Sequence, residues 1–316
     1  MSSKKIITVF GATGAQGGGL ARAILHDKNS DFAVRAVSRD PNSDKAKALA
    51  ALGAEVVAAD VDDPQSVRQA LEGAYGAFFV TFFWAHFSPE KEIEEARQFA
   101  AAAKDTGLQH AIWSTLEDTR RFIPLDDTRM PTLLGKYKVP HFDAKGESDQ
   151  FFTDAGVPTT FLYASFYWEN FIFFGSGPQK GPDGRFYLTF PLDDKKMAGI
   201  ASEDIGKCAY GIFKNRNAYI GKTVGLAGEH LSGAAMAAAM SKALGHEVSY
   251  NSVHPDVYRS FGFPGADEVG NMFQFYRDFH QECNTVRDVE HSRKLNPALK
   301  SFDTWLTENA ARIPMG

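Results

Sequence analysis

The chain has 316 residues, with 34 Lys and Arg against 39 Asp and Glu, a net charge of −5. Its 44% hydrophobic and 23% charged content is that of a soluble globular protein. The acidic balance argues against a protein that coats DNA or RNA directly, which needs clustered Lys and Arg to neutralise phosphates. Cys208 and Cys283 lie far apart and form no CxxC pair, so neither a disulfide framework nor a zinc site is indicated. The longest apolar run, residues 76–87, is too short to span a bilayer. Met1-Ser2-Ser3-Lys4-Lys5 runs straight into a strand and leaves no room for a signal peptide. A cytoplasmic protein, also able to reside in the nucleus, is expected.

In chain order, Ile6 to Phe10 reads as a strand that runs into Gly11, and an alanine-rich helix follows from Leu20. Phe32 to Arg39 alternates as a second strand. Lys45 to Leu52 is a helix closed by Gly53, and Glu55 to Asp60 a third strand. Asp63-Pro64-Gln65-Ser66 opens a helix to Leu71. Ala77 to Thr81 is apolar on both faces, as a central parallel strand must be. Ser88-Pro89-Glu90 starts a long helix through Ala103, and His110 to Ser114 is the fifth strand. Such strict alternation predicts an α/β fold, a Rossmann-type doubly wound parallel sheet. Regularity is lost over Leu116 to Val139. Phe142 to Ala155 is helical, Pro158 to Tyr163 is a sixth strand, and a hairpin is expected around Asp183-Gly184. A dinucleotide-binding domain over 1–165 is expected, then a smaller, mostly helical α/β subdomain over 166–316, with the strand near 222–228 rejoining the first sheet.

The turn Gly11-Ala12-Thr13-Gly14-Ala15-Gln16-Gly17 carries the functional signal. Gly11 allows the turn, Gly14 lets a pyrophosphate approach the backbone, and Gly17 lets the helix pack against the strand. The helix start presents unpaired N–H groups at the positive end of its dipole. Arg39, at the end of the second strand, suits a 2′-phosphate and predicts NADP(H) over NAD(H), with Lys45 nearby. Asp60 and Val61 lie where an adenine would be read. Thr81, Phe82 and Phe83 would wall the pyrophosphate and nicotinamide ribose.

Dehydrogenases of this architecture carry Ser or Thr after strand five and Tyr-x-x-x-Lys on the next helix. Ser114-Thr115 holds the first position, but the second reads His141-Phe142-Asp143-Ala144-Lys145. The lysine is kept and the tyrosine replaced. Either Lys145 only binds the cofactor and reduction is lost, or His141 supplies the proton. Tyr210 and Lys214 match the motif literally on a later helix, by chance. In the aromatic run from Phe161 to Phe174, most rings are expected in the core, with Asn170 fastening the loop.

Taken together, Val9 to Gly18, His141 to Glu147, Trp168-Glu169-Asn170, Phe261 to Ala266, Asn271-Met272-Phe273, Leu295-Asn296-Pro297 and Thr304-Trp305-Leu306 resemble the NmrA-like family of atypical short-chain dehydrogenases. The resemblance covers almost the whole chain. It implies an NADP(H)-binding redox sensor without ordinary dehydrogenase activity, acting on transcription or metabolic enzymes through a protein partner, and possible as a homodimer. Its cofactor contacts fall on Gly11 to Gly17, Arg39, Asp60, Val61, Thr81 to Phe83, Lys145, and Ala164, Ser165, Phe166 and Tyr167. Two departures stand out. Ser43 replaces a second basic residue after the strand-two arginine, and Glu94 replaces a lysine in the helix after strand four. The alternative is an NADPH-dependent reductase of a small apolar carbonyl or quinone, with Lys145, His141 or Ser114 assisting.

Overall fold

The structure is a computed structural model that describes residues 4–315. The outer limits expected at residues 1 and 316 lie outside the described residues. The chain forms two compact units, and crosses between them five times, once between Ala164 and Ser165. The first takes the residues up to Asp118, His141–Ala164 and Glu203–Val224; the second takes Thr119–Pro140, Ser165–Ser202 and the chain from Gly225 onward.

The first unit is built on a seven-stranded sheet. Its strands β1 (Lys5–Val9), β2 (Phe32–Ser38), β3 (Glu55–Ala58), β4 (Gly76–Phe79), β5 (His110–Thr115) and β6 (Thr159–Tyr163) lie in the order β6-β5-β4-β1-β2-β3, and Thr223–Gly225 adds beyond β6. The pairings of β1 to β6 are all parallel, with Ile7 opposite both Val34 and Gly76. Every residue of β4 and β5 is buried, so β4 reads as an unbroken apolar run and β5 keeps Ala111-Ile112-Trp113 between buried polar ends. Helices α1 (Ala15–His26), α2 (Asp44–Ala51), α3 (Pro64–Leu71), α4 (Pro89–Asp105) and α5 (Pro140–Asp154) make the crossovers. The phenylalanine-rich composition fills this interior. Phe10 and Phe79 each bring a ring to within 4.8 Å of Phe99, and Trp113 stacks on Phe152 at 5.4 Å. Aromatic pairs of this kind add about 0.5–1.5 kcal/mol each beyond their buried area.

Strand order reverses between β1 and β4, so the loops after these two strands diverge and open a crevice at their carboxyl ends. Local sequence sets what enters it. Ser88 caps α4, its hydroxyl accepting the Lys91 N–H at 3.2 Å, and Pro89 takes the first helical position. That start places Glu92 and Glu95, three residues apart, on one buried face. On α5, Gly146 lets the helix pack against the chain at Asp118, where a Cβ would lie 2.4 Å from the backbone nitrogen.

The second unit holds two three-stranded sheets. Lys196–Ile200 is flanked by Glu229–Ser232 and Phe166–Tyr167, and Phe186–Phe190 by Val248–Ser252 and Gln179–Lys180. The antiparallel pair of Gln179–Lys180 with Phe186–Phe190 is the hairpin around Asp183-Gly184. The aromatic run is less buried than expected: Phe166, Trp168 and Phe171 are core, Phe161, Tyr163 and Tyr167 are partly buried, and Phe173 and Phe174 are exposed. Glu169 does the fastening expected of Asn170. Its carboxylate accepts the Ser202 N–H at 2.8 Å and the Trp305 indole N–H at 3.0 Å.

Candidate dinucleotide-binding site

The glycine turn after β1 has the shape its sequence requires. Gly11 has φ +64°, a conformation that favours glycine. A Cβ at Gly17 would lie 2.5 Å from the Gly11 carbonyl oxygen, so a larger residue would push the helix off the turn. Gly14 is the N-cap of α1; no side chain caps the helix and no acid lies in its first turn. Gly11, Gly14 and Ala15 are exposed and Thr13 partly so, while Ala12, Gln16 and Gly17 are buried. An uncapped, acid-free helix start behind a glycine cradle fits a pyrophosphate.

At the end of β2, Arg39 is exposed and makes no ion pair or side-chain hydrogen bond among the described residues. Its charge is therefore available to a phosphate. Lys45 is exposed as well. Ser43 is committed to the fold: its hydroxyl caps α2 through the Ala46 N–H and donates to the Asp40 carbonyl at 2.9 Å. Asp60 is exposed after β3 and accepts the Asp62 N–H at 3.1 Å, with Val61 half-buried beside it.

The third cluster lies where β4, α4 and α5 meet. Lys145 is buried, and its Nζ donates to Thr81 Oγ1 at 2.5 Å and lies 2.8 Å from Glu92 Oε1. Thr81 in turn donates to the same Glu92 oxygen at 2.5 Å. The ammonium sits 5.0 Å over the Trp113 ring, whose N–H is held by Asp149 at 3.0 Å. Burial opposes a charge on Glu92. The adjacent Lys145 ammonium, with the His86 ring beside it and hydrogen bonds from Lys145 and Thr81, outweighs it and holds the carboxyl down to about 2. Lys145 thus has two of its three donors engaged, leaving one for a ligand hydroxyl.

The other catalytic candidates are placed differently. Ser114 is buried at the end of β5 and donates to Gln16 Oε1 at 2.8 Å, which ties the strand-five hydroxyl to the glycine turn. His141, one turn before Lys145, is buried with its ring 4.9 Å from Trp84 and 5.7 Å from Phe83. Phe83 is buried and Phe82 is 57% exposed. Ala164 closes the first unit's share of the chain; Ser165, Phe166 and Tyr167 belong to the second. There Ser165 Oγ is buried with no hydrogen-bond partner among the described residues, and the Phe166 ring packs on Phe171 at 5.4 Å. The literal Tyr-x-x-x-Lys match is structural. Tyr210 donates to Asp27 at 2.8 Å under the Lys214 ammonium, and burial pushes its phenol up to about 12.

Glu92 is the functional residue that the sequence reading passed over, with His86 and Glu95 beside it. The signal was present: an acid three residues after another position on the inner face of a helix whose Ser-Pro start fixed its register. Charged residues in such a segment read as solvated until the neighbouring helix α5 supplies a buried lysine.

Comparison with known proteins bears on the family and the fold. The model of the NmrA-like family matches residues 3–306. An NmrA-like family domain-containing protein of Dictyostelium discoideum is 29% identical over 315 residues, covering 96% of this chain and 97% of its own. The NmrA-like family domain-containing oxidoreductase FrzB of a Cladobotryum species is 29% identical, covering 85% of this chain and 83% of its own. Among solved structures, NmrA, a negative transcriptional regulator, is similar with a TM-score of 0.77 and 25% identity, over 96% of this chain and 95% of its own. NmrA has been solved in complex with NADP and in complex with NAD.

Proposed function

The chain belongs to the NmrA-like family, and from that premise we propose that it binds NADP(H) and uses the dinucleotide as a signal for a protein partner rather than as a routine hydride donor. The observation that carries this reading is the Glu92–Lys145–Thr81 cluster. Lysine in a catalytic Tyr-x-x-x-Lys pair lowers the phenol's pKa and holds the ribose. Here no phenol precedes Lys145, its charge is neutralised by a buried carboxylate, and the Ser114 hydroxyl is engaged by Gln16. What remains is binding machinery. The α1 N-terminus would hold the pyrophosphate, Arg39 the 2′-phosphate, and the third Lys145 donor a ribose hydroxyl. Phe82 and Phe83 would shield the nicotinamide end from water. Bound there, the dinucleotide supplies its negative charge and a nicotinamide that differs between oxidised and reduced forms. A ligand can report that difference only through unequal affinity for two states of the protein.

The test is calorimetric titration of the dinucleotide-free protein with NADPH, NADP⁺, NADH and NAD⁺ at fixed ionic strength. The reading expects tight NADP(H) binding, weak NAD(H) binding, and no turnover in a screen of quinones and enones with NADPH. The absence of binding to all four would refute it.

A second reading is an NADPH-dependent reductase of a small apolar carbonyl or quinone. It is favoured by His141, whose ring stands one turn before Lys145 on the same helix face. Curated relatives named as oxidoreductases support it too. Turnover that is lost in both His141→Ala and Lys145→Ala would select it.

A further inference from the structure

Lys145 is set by one oxygen of Glu92. The other oxygen, Oε2, is buried and accepts no hydrogen bond. It faces the imidazole of His86, with Nε2 3.5 Å away. His86 precedes α4, and its Nδ1 accepts the Ser88 N–H at 3.0 Å. A backbone N–H can only donate, so the proton of the neutral ring sits on Nε2 and points at the carboxylates. Glu95, on the same face of α4, brings Oε1 to 3.9 Å from that nitrogen. The donor atoms of His86, Glu92 and Glu95 all lie within 4.8 Å of one another, a spacing that a cation could also bridge. A cation would have to displace both the Nε2 proton and the Ser88 hydrogen bond. The tautomer therefore marks this as a cluster built to hold protons.

The charged groups that act on it come from α4, α5 and the loop after β3. Lys145 reaches it from α5 through Glu92. Lys91, paired with Asp62 at 2.7 Å, lies on the Glu95 side together with Asp60. His141 approaches through the ring of Phe83, which lies 5.9 Å from His86 and 5.7 Å from His141. With the imidazole neutral and both carboxylates ionised, the set Lys145, Glu92, His86 and Glu95 carries one net negative charge. One further proton makes it neutral. A dinucleotide whose ribose hydroxyl meets Lys145 carries its pyrophosphate, held at the start of α1, into the same crevice at the ends of β1 and β4, and an approaching anion favours the neutral form.

We propose that His86 is a positioning residue for Lys145, acting through Glu92, and that Glu95, beside the His86 ring, takes up a proton when the dinucleotide binds. The inference rests on the dinucleotide site proposed above. Burial, followed by the nearby Glu92 carboxylate, pushes Glu95 up to about 7, so this carboxyl titrates where binding is measured. No covalent step is involved: the proton comes from solvent and the partly exposed His86 side chain is its point of entry.

The experiment is titration of the full-length, dinucleotide-free protein with NADPH, in EDTA and in buffers of differing ionisation enthalpy. The slope of heat against buffer enthalpy counts protons. The 2′-phosphate also titrates near pH 6, so the quantity read is the difference between wild type and variant. At about pH 7 the wild type should take up roughly half a proton more than Glu95→Gln, because a group near its pKa is about half protonated. NADPH affinity should fall about three- to tenfold from pH 6 to pH 8 in the wild type, up to tenfold per pH unit being the limit for one proton. Glu95→Gln and His86→Asn should flatten that dependence, and Glu95→Asp, which restores a carboxylate, should recover it. A merely structural role would change the melting temperature of these variants and leave the proton count alone. Equal proton counts in wild type, Glu95→Gln and His86→Asn would overturn the proposal while leaving the dinucleotide site standing. A wild type that gives no binding heat in any buffer would overturn both.

Discussion

Replacing Lys145 by methionine probes the site and the fold together. The side chain of Glu92 is fully buried, and after the substitution its charge would keep only the Thr81 hydroxyl and the His86 ring. The size of the effect follows from the carboxyl itself. Held at about 2 instead of its ordinary 4.5, at about 1.4 kcal/mol per tenfold change, the group is stabilised in its charged form by roughly 3 kcal/mol. That agrees with the ~3–5 kcal/mol typical of breaking a buried ion pair from one side. The pH dependence has a definite sign. The folded pKa lies below the unfolded one, so the contribution is fully present above about 4.5 and is lost as pH falls toward about 2. Urea denaturation at pH 7 should show Lys145→Met to be less stable by about 3 kcal/mol, and the deficit should shrink steadily below pH 4.5. The double variant Lys145→Met with Glu92→Leu, which removes both charges, should regain most of the loss. A single-variant deficit under about 1 kcal/mol, independent of pH, would refute the reasoning, because the pair would then be no stronger than an exposed one.

Three more outcomes follow from the same geometry. Arg39→Ala should weaken NADPH binding at least about tenfold and leave NADH binding unchanged, since only the 2′-phosphate meets the guanidinium; calorimetry with both ligands checks it. Gly17→Ala places a methyl against the Gly11 carbonyl, and should abolish measurable dinucleotide binding while a circular dichroism melt still reports a folded chain; undiminished affinity would show that the turn is slack. Glu169→Gln weakens two partly buried links of the second unit, to Ser202 and Trp305, and should cost about 1–3 kcal/mol in urea with NADPH affinity intact.

The first unit's architecture was readable from local pattern alone. Strand–helix alternation, the apolar runs of β4 and β5, and three glycines spaced for a turn each report a backbone constraint that few residue types satisfy. The glycine turn and Arg39 were legible for the same reason, because their meaning depends only on their place at a strand end. The second unit's short strands were not. Lys196–Ile200, Glu229–Ser232 and Val248–Ser252 are four or five residues of mixed polarity, and their pairing comes from distant segments.

The inner cluster was hidden for a deeper reason. His86, Glu92 and Glu95 are polar residues in an acidic, lysine-bearing stretch, and such stretches usually face water. Lys145 lies some fifty residues further along the chain. Which of these charges is buried, and against what, is a property of how α4 and α5 close over the end of β4. Burial converts a surface-like pattern into an ion pair whose protonation can be coupled to a ligand. No periodicity encodes that, because the energy of a charge depends on the dielectric and the partners around it, and packing alone supplies both.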